Sequence, residues 1–196
     1  MEGLQRDRKP NRWKKHNYSA NGWYFVTFCT KNRIEYFGDI FHDVGTGQCP
    51  VPTSYSYGSI ATQFWSQIPD HYQHVSLDEW VIMPNHIHGI IIIDDPMHTD
   101  NVGTGQCPVP TLYGETPDPS NPENSRYGLL SKIIKSFKEM CGKKIRQEFH
   151  DETFEWQRSF HDHIIRNEIE LDNIRKYIQD NPKNWHRDRN NQDKFR

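Results

Sequence analysis

The run EWVIMPNHIHGIIII, from Glu79 to Ile93, constrains this chain more than any other stretch. It is apolar and β-branched at both ends and broken in the middle by Pro84 and Asn85. Proline has no N–H to give a sheet, and Asn tolerates a tight bend, so the pair marks a turn. The run reads as strand, turn, strand. His86 and His88 open the second strand. Side chains alternate along a strand, so both imidazoles point to one face, with Ile87 and Gly89 on the other. Beyond them the strand is aliphatic to Ile93. Polar side chains in such a setting cost stability unless they serve something. Two imidazoles two residues apart can hold one metal ion. Two satisfied core or surface histidines are the other reading, and His161 and His163 repeat the spacing in a chain of 11 histidines.

Further strands are expected over Gly22 to Cys29, over Asn32 to Phe37 and over Phe154 to His161, where aromatic and β-branched residues gather. Helices are expected over Ile60 to Ile68 and from Leu129, where Leu130, Ile133, Ile134, Phe137 and Cys141 recur at helical spacing. Lys132, Lys135, Lys143 and Arg146 share another face of that helix, as a solvated or a DNA-facing surface. A last helix spans Glu168 to Asp180, capped by Asn167 with Glu170 three residues on, and stopped by Asn181-Pro182. Ile174 and Ile178 face its core side and leave Tyr177 at the edge. Tyr177 and Asn181 lie one turn apart on one face. A tyrosine packed with its hydroxyl in water satisfies this pattern as well.

Taken together, VIMPNHIHGIIII and the downstream WQRSFHDHIIRNEIELDNIRKYIQDNPKNW resemble the REP-associated tyrosine transposases. These belong to the single-tyrosine HUH transposases, where U is a hydrophobic residue. The resemblance covers the chain from about Arg12 to Trp185, outside two repeats described below. It implies an α+β fold, a ferredoxin-like or RRM-like antiparallel sheet with helices on one face. It puts the HUH motif, His86-Ile87-His88, on a central strand and the catalytic Tyr177 on the C-terminal helix. Asn181 takes the position that completes the metal site, often Gln in relatives. The implied cofactor is a divalent cation, Mg²⁺ or Mn²⁺, on His86, His88 and Asn181. The implied partner is a single-stranded DNA hairpin of palindromic sequence. The implied reaction is cleavage and rejoining through a 5′-phosphotyrosine. Such a transesterase needs no ATP, and the chain has no phosphate-binding GxxxxGK[ST] loop. A non-catalytic hairpin DNA or RNA binder, or a replication initiator or relaxase, shares parts of this pattern.

The net charge of −2 excludes a uniformly basic nucleic-acid binder. Cations instead concentrate at the ends. Arg12, Trp13, Lys14, Lys15 and Tyr18 near the N-terminus, and Lys183 to Arg189 with Trp185 and Arg187, interleave aromatics with positive charge. That mixture suits single-stranded nucleic acid, or serves as solvated termini. The candidate DNA-binding residues are Arg12, Trp13, Lys14, Lys15, Lys132, Lys135 and Arg187. None of the four cysteines forms a CxxC pair, which argues against structural zinc. With no apolar signal segment and no run of membrane-spanning length, a soluble, cytoplasmic protein is the expectation. The oligomeric state stays open between monomer and dimer, with the monomer slightly favoured.

Two segments break the pattern. The decapeptide VGTGQCPVPT stands at Val44 to Thr53 and again at Val102 to Thr111, and beyond it the flanks share only a tyrosine, Tyr55 and Tyr113. Both copies sit in Gly- and Pro-containing stretches, about 42–56 and 96–125, which read as exposed insertions into one domain over 1–196.

Overall fold

Gly22–Cys29 forms strand β1, as its aromatic and β-branched content predicts. In this computed structural model, residues 20–38, 56–96 and 128–191 are described. The chain continues through α1 (Tyr57–Ser66), a short α2 (Ile68–His71), β2 (Val75–Met83), β3 (His86–Ile93), α3 (Leu129–Phe149), β4 (His161–Ile165) and α4 (Glu168–Asp180). The four strands make one antiparallel sheet in the order β2-β3-β1-β4. This is the ferredoxin-like arrangement. β3, with the two histidines, is central, and Pro84 and Asn85 form the turn that feeds it.

The faces of the sheet are covered differently. Tyr24, Val26, Phe28, Ile87, Ile91 and Ile93 point to one face and pack with Ile60, Ala61 and Trp65 of α1 and Ile133, Phe137 and Cys141 of α3. Val81, Met83, Ile90 and Ile165 point to the other and pack with Leu171 and Ile178 of α4. The expectation of helices on one face is thus met by α1 and α3 alone. Strand alternation turns Ile90 away from its neighbours Gly89 and Ile91, and the apolar stripe of α4 covers it.

Gly89 is required by the first face. A Cβ there would lie 2.4 Å from the Trp65 ring, which is fully buried against the strand. Helix α1 starts at a capping box, Ser56 with Ser59. Helix α4 starts where the Asn167 side chain accepts from the Glu170 N–H at 2.8 Å, as the sequence predicts.

Two expected strands are absent. Residues 31–33 form a single 3₁₀ turn in which Asn32 and Arg33 both take φ of 55°. Left-handed backbone cannot propagate a strand. Tyr36 and Phe37 then turn inward onto Phe154. The segment 154–160 makes one bridge, Thr30 to Trp156, before β4 begins at His161. Its apolar residues serve as plugs at the end of the α1/α3 core rather than as alternating strand positions, since Phe154 is fully buried and Trp156 packs on Phe28 and Phe137.

The arm holding Arg12, Trp13, Lys14, Lys15 and Tyr18 lies outside the described residues, as do both decapeptides.

Candidate functional site

The site is built on the α4 face. His86 and His88, 0% and 2% exposed, bring their Nε2 atoms to 3.0 Å of one another. Each ring is held from behind. The Asn85 amide nitrogen donates to the Arg33 carbonyl at 3.0 Å and to the Asn190 carbonyl at 2.9 Å, which fixes its oxygen toward His86 Nδ1 at 2.9 Å. That oxygen only accepts, so His86 carries its proton on Nδ1 and leaves Nε2 bare. His88 Nδ1 meets the Thr27 hydroxyl at 2.8 Å. A hydroxyl can donate or accept, so Thr27 supports either tautomer of His88.

Burial keeps both rings neutral. It pushes the His86 pKa down to about 3, with Arg189 and Arg33 adding to the effect. Burial also holds His88 well below the usual histidine range, and His86 beside it lowers it further. Neutral imidazoles with unprotonated Nε2 are the form that ligates metal.

Helix α4 brings Tyr177 over this pair. Its hydroxyl meets His88 Nε2 at 3.4 Å, a long contact, and its ring stands edge-on to His88 and to Phe25, which stacks on His88. Tyr177 is 47% exposed, as the periodicity of α4 predicts. Burial of the rest of the side chain raises its pKa, and a hydrogen bond from Asn181 opposes that rise. One turn on, Asn181 is buried, and its Oδ1 has no hydrogen-bond partner.

The helix is anchored through a β-bulge. The register of β2 against β3 shifts between Leu77 and Trp80, which re-aims Asp78 and Glu79. Arg175 grips Asp78 with two bonds, Nε to Oδ1 at 2.9 Å and Nη2 to Oδ2 at 2.5 Å, and Gln179 donates to Glu79 at 3.0 Å. These ties flank Tyr177 in sequence on both sides. Burial would raise the Asp78 pKa, but the bonds from Arg175 and from the Glu79 N–H outweigh it and hold the carboxyl below its ordinary value.

A third potential ligand comes from beyond α4. The chain turns through a 3₁₀ segment, Pro182–Arg187, which lays Trp185 against His86. Asp188 follows, and its carboxylate lies with the two histidine nitrogens in a group within 4.8 Å. His86, His88 and Asp188 can hold a metal ion. The donor set fits one. A neutral histidine pair offers nitrogen lone pairs, Asp188 offers the negative charge that a buried cation requires, and the Asn181 oxygen stands unpartnered.

Beside the site an open cleft of about 540 Å³ is lined by Tyr177, Asn181 and Asp188 and by the cations Lys176, Arg187 and Arg189. The fold therefore gathers His86, His88, Tyr177, Asn181 and Arg187. It does not gather Lys132 and Lys135. These stand exposed on α3, across the sheet from the histidines, and Lys135 pairs with Glu139 at 3.8 Å. Asp188 and Lys176 escape sequence reasoning. Asp188 is one acid in a stretch that reads as basic, and only the 3₁₀ turn returns it to the histidines.

No protein-family model matches the chain. Among solved structures, a REP-associated tyrosine transposase bound to a REP hairpin aligns with a TM-score of 0.50 over 89% of this chain and 73% of that one, at 14% identity. That likeness is one of fold. An uncharacterized protein of Haemophilus influenzae is 34% identical over 182 residues, 92% of this chain and 91% of the relative. The chain belongs to the family of that Haemophilus influenzae protein.

Proposed function

We propose that this protein is a metal-dependent single-stranded DNA transesterase that cleaves and rejoins DNA at hairpin-forming palindromes. One observation carries the reading: the Tyr177 hydroxyl sits against a buried pair of neutral histidines, with an unpartnered Asn181 oxygen and the Asp188 carboxylate beside them. Hairpin binding requires none of these. The fold neighbour, a transposase bound to a REP hairpin, supports the choice of substrate.

Tyr177 is the nucleophile. Its oxygen gives up its proton to solvent in the open cleft and attacks the scissile phosphorus, the bond from phosphorus to the 3′-oxygen of the preceding nucleotide breaks, that oxygen takes a proton from solvent to leave as a hydroxyl, and a 5′-phosphotyrosine remains. The phosphodiester energy is kept in the new bond, so a second 3′-hydroxyl can reverse the step without ATP. The Asn181 hydrogen bond to the phenol oxygen eases loss of its proton. His86, His88 and Asn181, with Asp188, would hold a divalent cation, Mg²⁺ or Mn²⁺. When bound, that cation polarises the phosphate and offsets its developing charge. Lys176, Arg187 and Arg189 neutralise the flanking strand along the cleft. The N-terminal Arg12, Trp13, Lys14 and Lys15 are proposed as further strand contacts, and Lys132 and Lys135 as contacts for duplex reaching around the sheet edge.

The test is covalent capture. Wild-type protein, a labelled single-stranded palindrome and Mn²⁺ should give an adduct that survives SDS. Tyr177→Phe should give none while still shifting the hairpin in a gel. An adduct of normal yield in that variant removes Tyr177 as nucleophile. Undiminished cleavage in excess EDTA removes the metal.

A further inference from the structure

The decapeptide VGTGQCPVPT has no role in the reaction above. Its first copy falls between Gly38 and Ser56, the N-cap of α1, and its second between Pro96 and Gly128, the N-cap of α3. Neither copy falls within the residue range of a described strand. Ten identical residues whose flanks share only a tyrosine are hard to explain by selection on two unrelated connections. They are simply explained by copying at the level of DNA.

The genetic code supports this. The first five residues, Val-Gly-Thr-Gly-Gln, require GTN GGN ACN GGN CAR, and the last five, Cys-Pro-Val-Pro-Thr, require TGY CCN GTN CCN ACN. Fold the second half back on the first about the last base of the Gln codon. Every fixed base of the first half then meets its complement: GT meets AC, GG meets CC, AC meets GT, GG meets CC, and CA meets TG. The degenerate bases meet only one another. A protein has no use for complementarity between its own codons, whereas a DNA strand that must fold on itself has.

We propose that the two decapeptides are translated copies of one DNA inverted repeat, and that the single strand of that repeat, folded as a hairpin, is a ligand of the Tyr177 cleft. The second half of this statement rests on the proposed function. The chain thereby carries in its own sequence a record of one substrate. Its coding strand presents that substrate twice, so the protein acts on, or is held by, its own gene.

The pattern makes a prediction that needs no protein. Read from the opposite strand in the same register, a fully paired repeat encodes Val-Gly-Thr-Gly-His-Cys-Pro-Val-Pro-Thr. Only the central Gln changes, because its last base is the unpaired one. In-frame copies elsewhere in the source genome should carry Gln or His at that position according to orientation.

The deciding experiment starts from the gene. Codons 44–53 and 102–111 are sequenced, and the strand spanning one copy is synthesised with a control of equal composition whose stem is scrambled. The full-length protein should bind the native oligonucleotide at least tenfold more tightly than the control by fluorescence anisotropy, and the third bases of paired codons should be complementary. Third bases that fail to pair overturn the DNA origin. Equal affinity for both oligonucleotides overturns the ligand assignment. A panel of unrelated hairpins separates the two readings. Covalent adducts on that panel without preference for the native repeat sink this inference and leave the proposed function standing. Adducts on no hairpin at all sink the proposed function and with it the ligand assignment, while the DNA origin stands or falls on the third bases.

Discussion

The two faces of the sheet are made of different material. On the α1/α3 face, large rings interlock: Phe28 meets Trp65 at 5.9 Å, Phe137 at 5.5 Å and Trp156 at 5.3 Å, and Trp65 closes onto the bare backbone of Gly89. On the α4 face a small aliphatic cluster sits beside two histidines, a half-exposed tyrosine and a buried carbonyl without a partner. Burying unsatisfied polar groups is costly. The ring face carries part of that cost too, since the buried indole nitrogens of Trp65 and Trp156 have no partner, but there the close contacts among the rings offset it. β3 joins the two, with Ile87, Gly89 and Ile91 facing the rings and His86 and His88 facing the chemistry.

Stability and activity should then separate by face. The largest loss should come from Trp65→Ala. It empties the centre of the ring cluster and should cost about 3–5 kcal/mol, read as the shift in a urea melt. A loss below 1 kcal/mol would deny the ring face its dominance. Next comes Gly89→Ala, whose new methyl must displace a ring at 2.4 Å. Overpacking of this kind should cost about 1–3 kcal/mol, and Trp65→Phe in the same chain should recover part of it.

The anchor of α4 ranks third. Asp78→Asn should cost about 1–2 kcal/mol near neutral pH. The Asp78 pKa is lowered in the folded state, so its contribution is full above the ordinary carboxylate range and fades as pH falls through the folded value. The gap between wild type and variant should therefore close in acid, and a gap that widens there would contradict the pairing with Arg175. Smallest of all should be Tyr177→Phe, within about 0.5 kcal/mol of wild type. Thermal melts with and without Mn²⁺ sharpen the contrast. The ion should raise the melting temperature of Tyr177→Phe and of wild type alike, but not that of a His86→Ala, His88→Ala double variant.

Much of this arrangement is written in local pattern. The hairpin over 79–93, helix α4 with its Asn167 cap, and the pairing of Tyr177 with Asn181 all follow from periodicity and turn chemistry, which depend on near neighbours. The misread segments depend on distant ones. Tyr36, Phe37, Phe154 and Trp156 look like strand residues because they are aromatic. They are aromatic because they close the end of a core whose other walls come from α1 and α3. The position of Lys132 and Lys135 could not be read either, since nothing local says which face of the sheet a helix will cover. Asp188 belongs to the same class: its approach to the histidines is set by Trp185 packing on His86 and by Asn190 bonding to Asn85.

That last bond has a consequence in time. Asn85 and Asn190 are 105 residues apart, and Tyr177 and His88 are 89 apart. A chain emerging from the ribosome completes β1, β2 and β3 long before it supplies α4 or the tail that fixes the His86 tautomer. Folding from the N-terminal side therefore leaves the histidines unsupported and without a tyrosine until late in synthesis. If the proposed function holds, the unfinished chain lacks the nucleophile and so cannot cleave, and a product truncated before the tail is left with a loosened site.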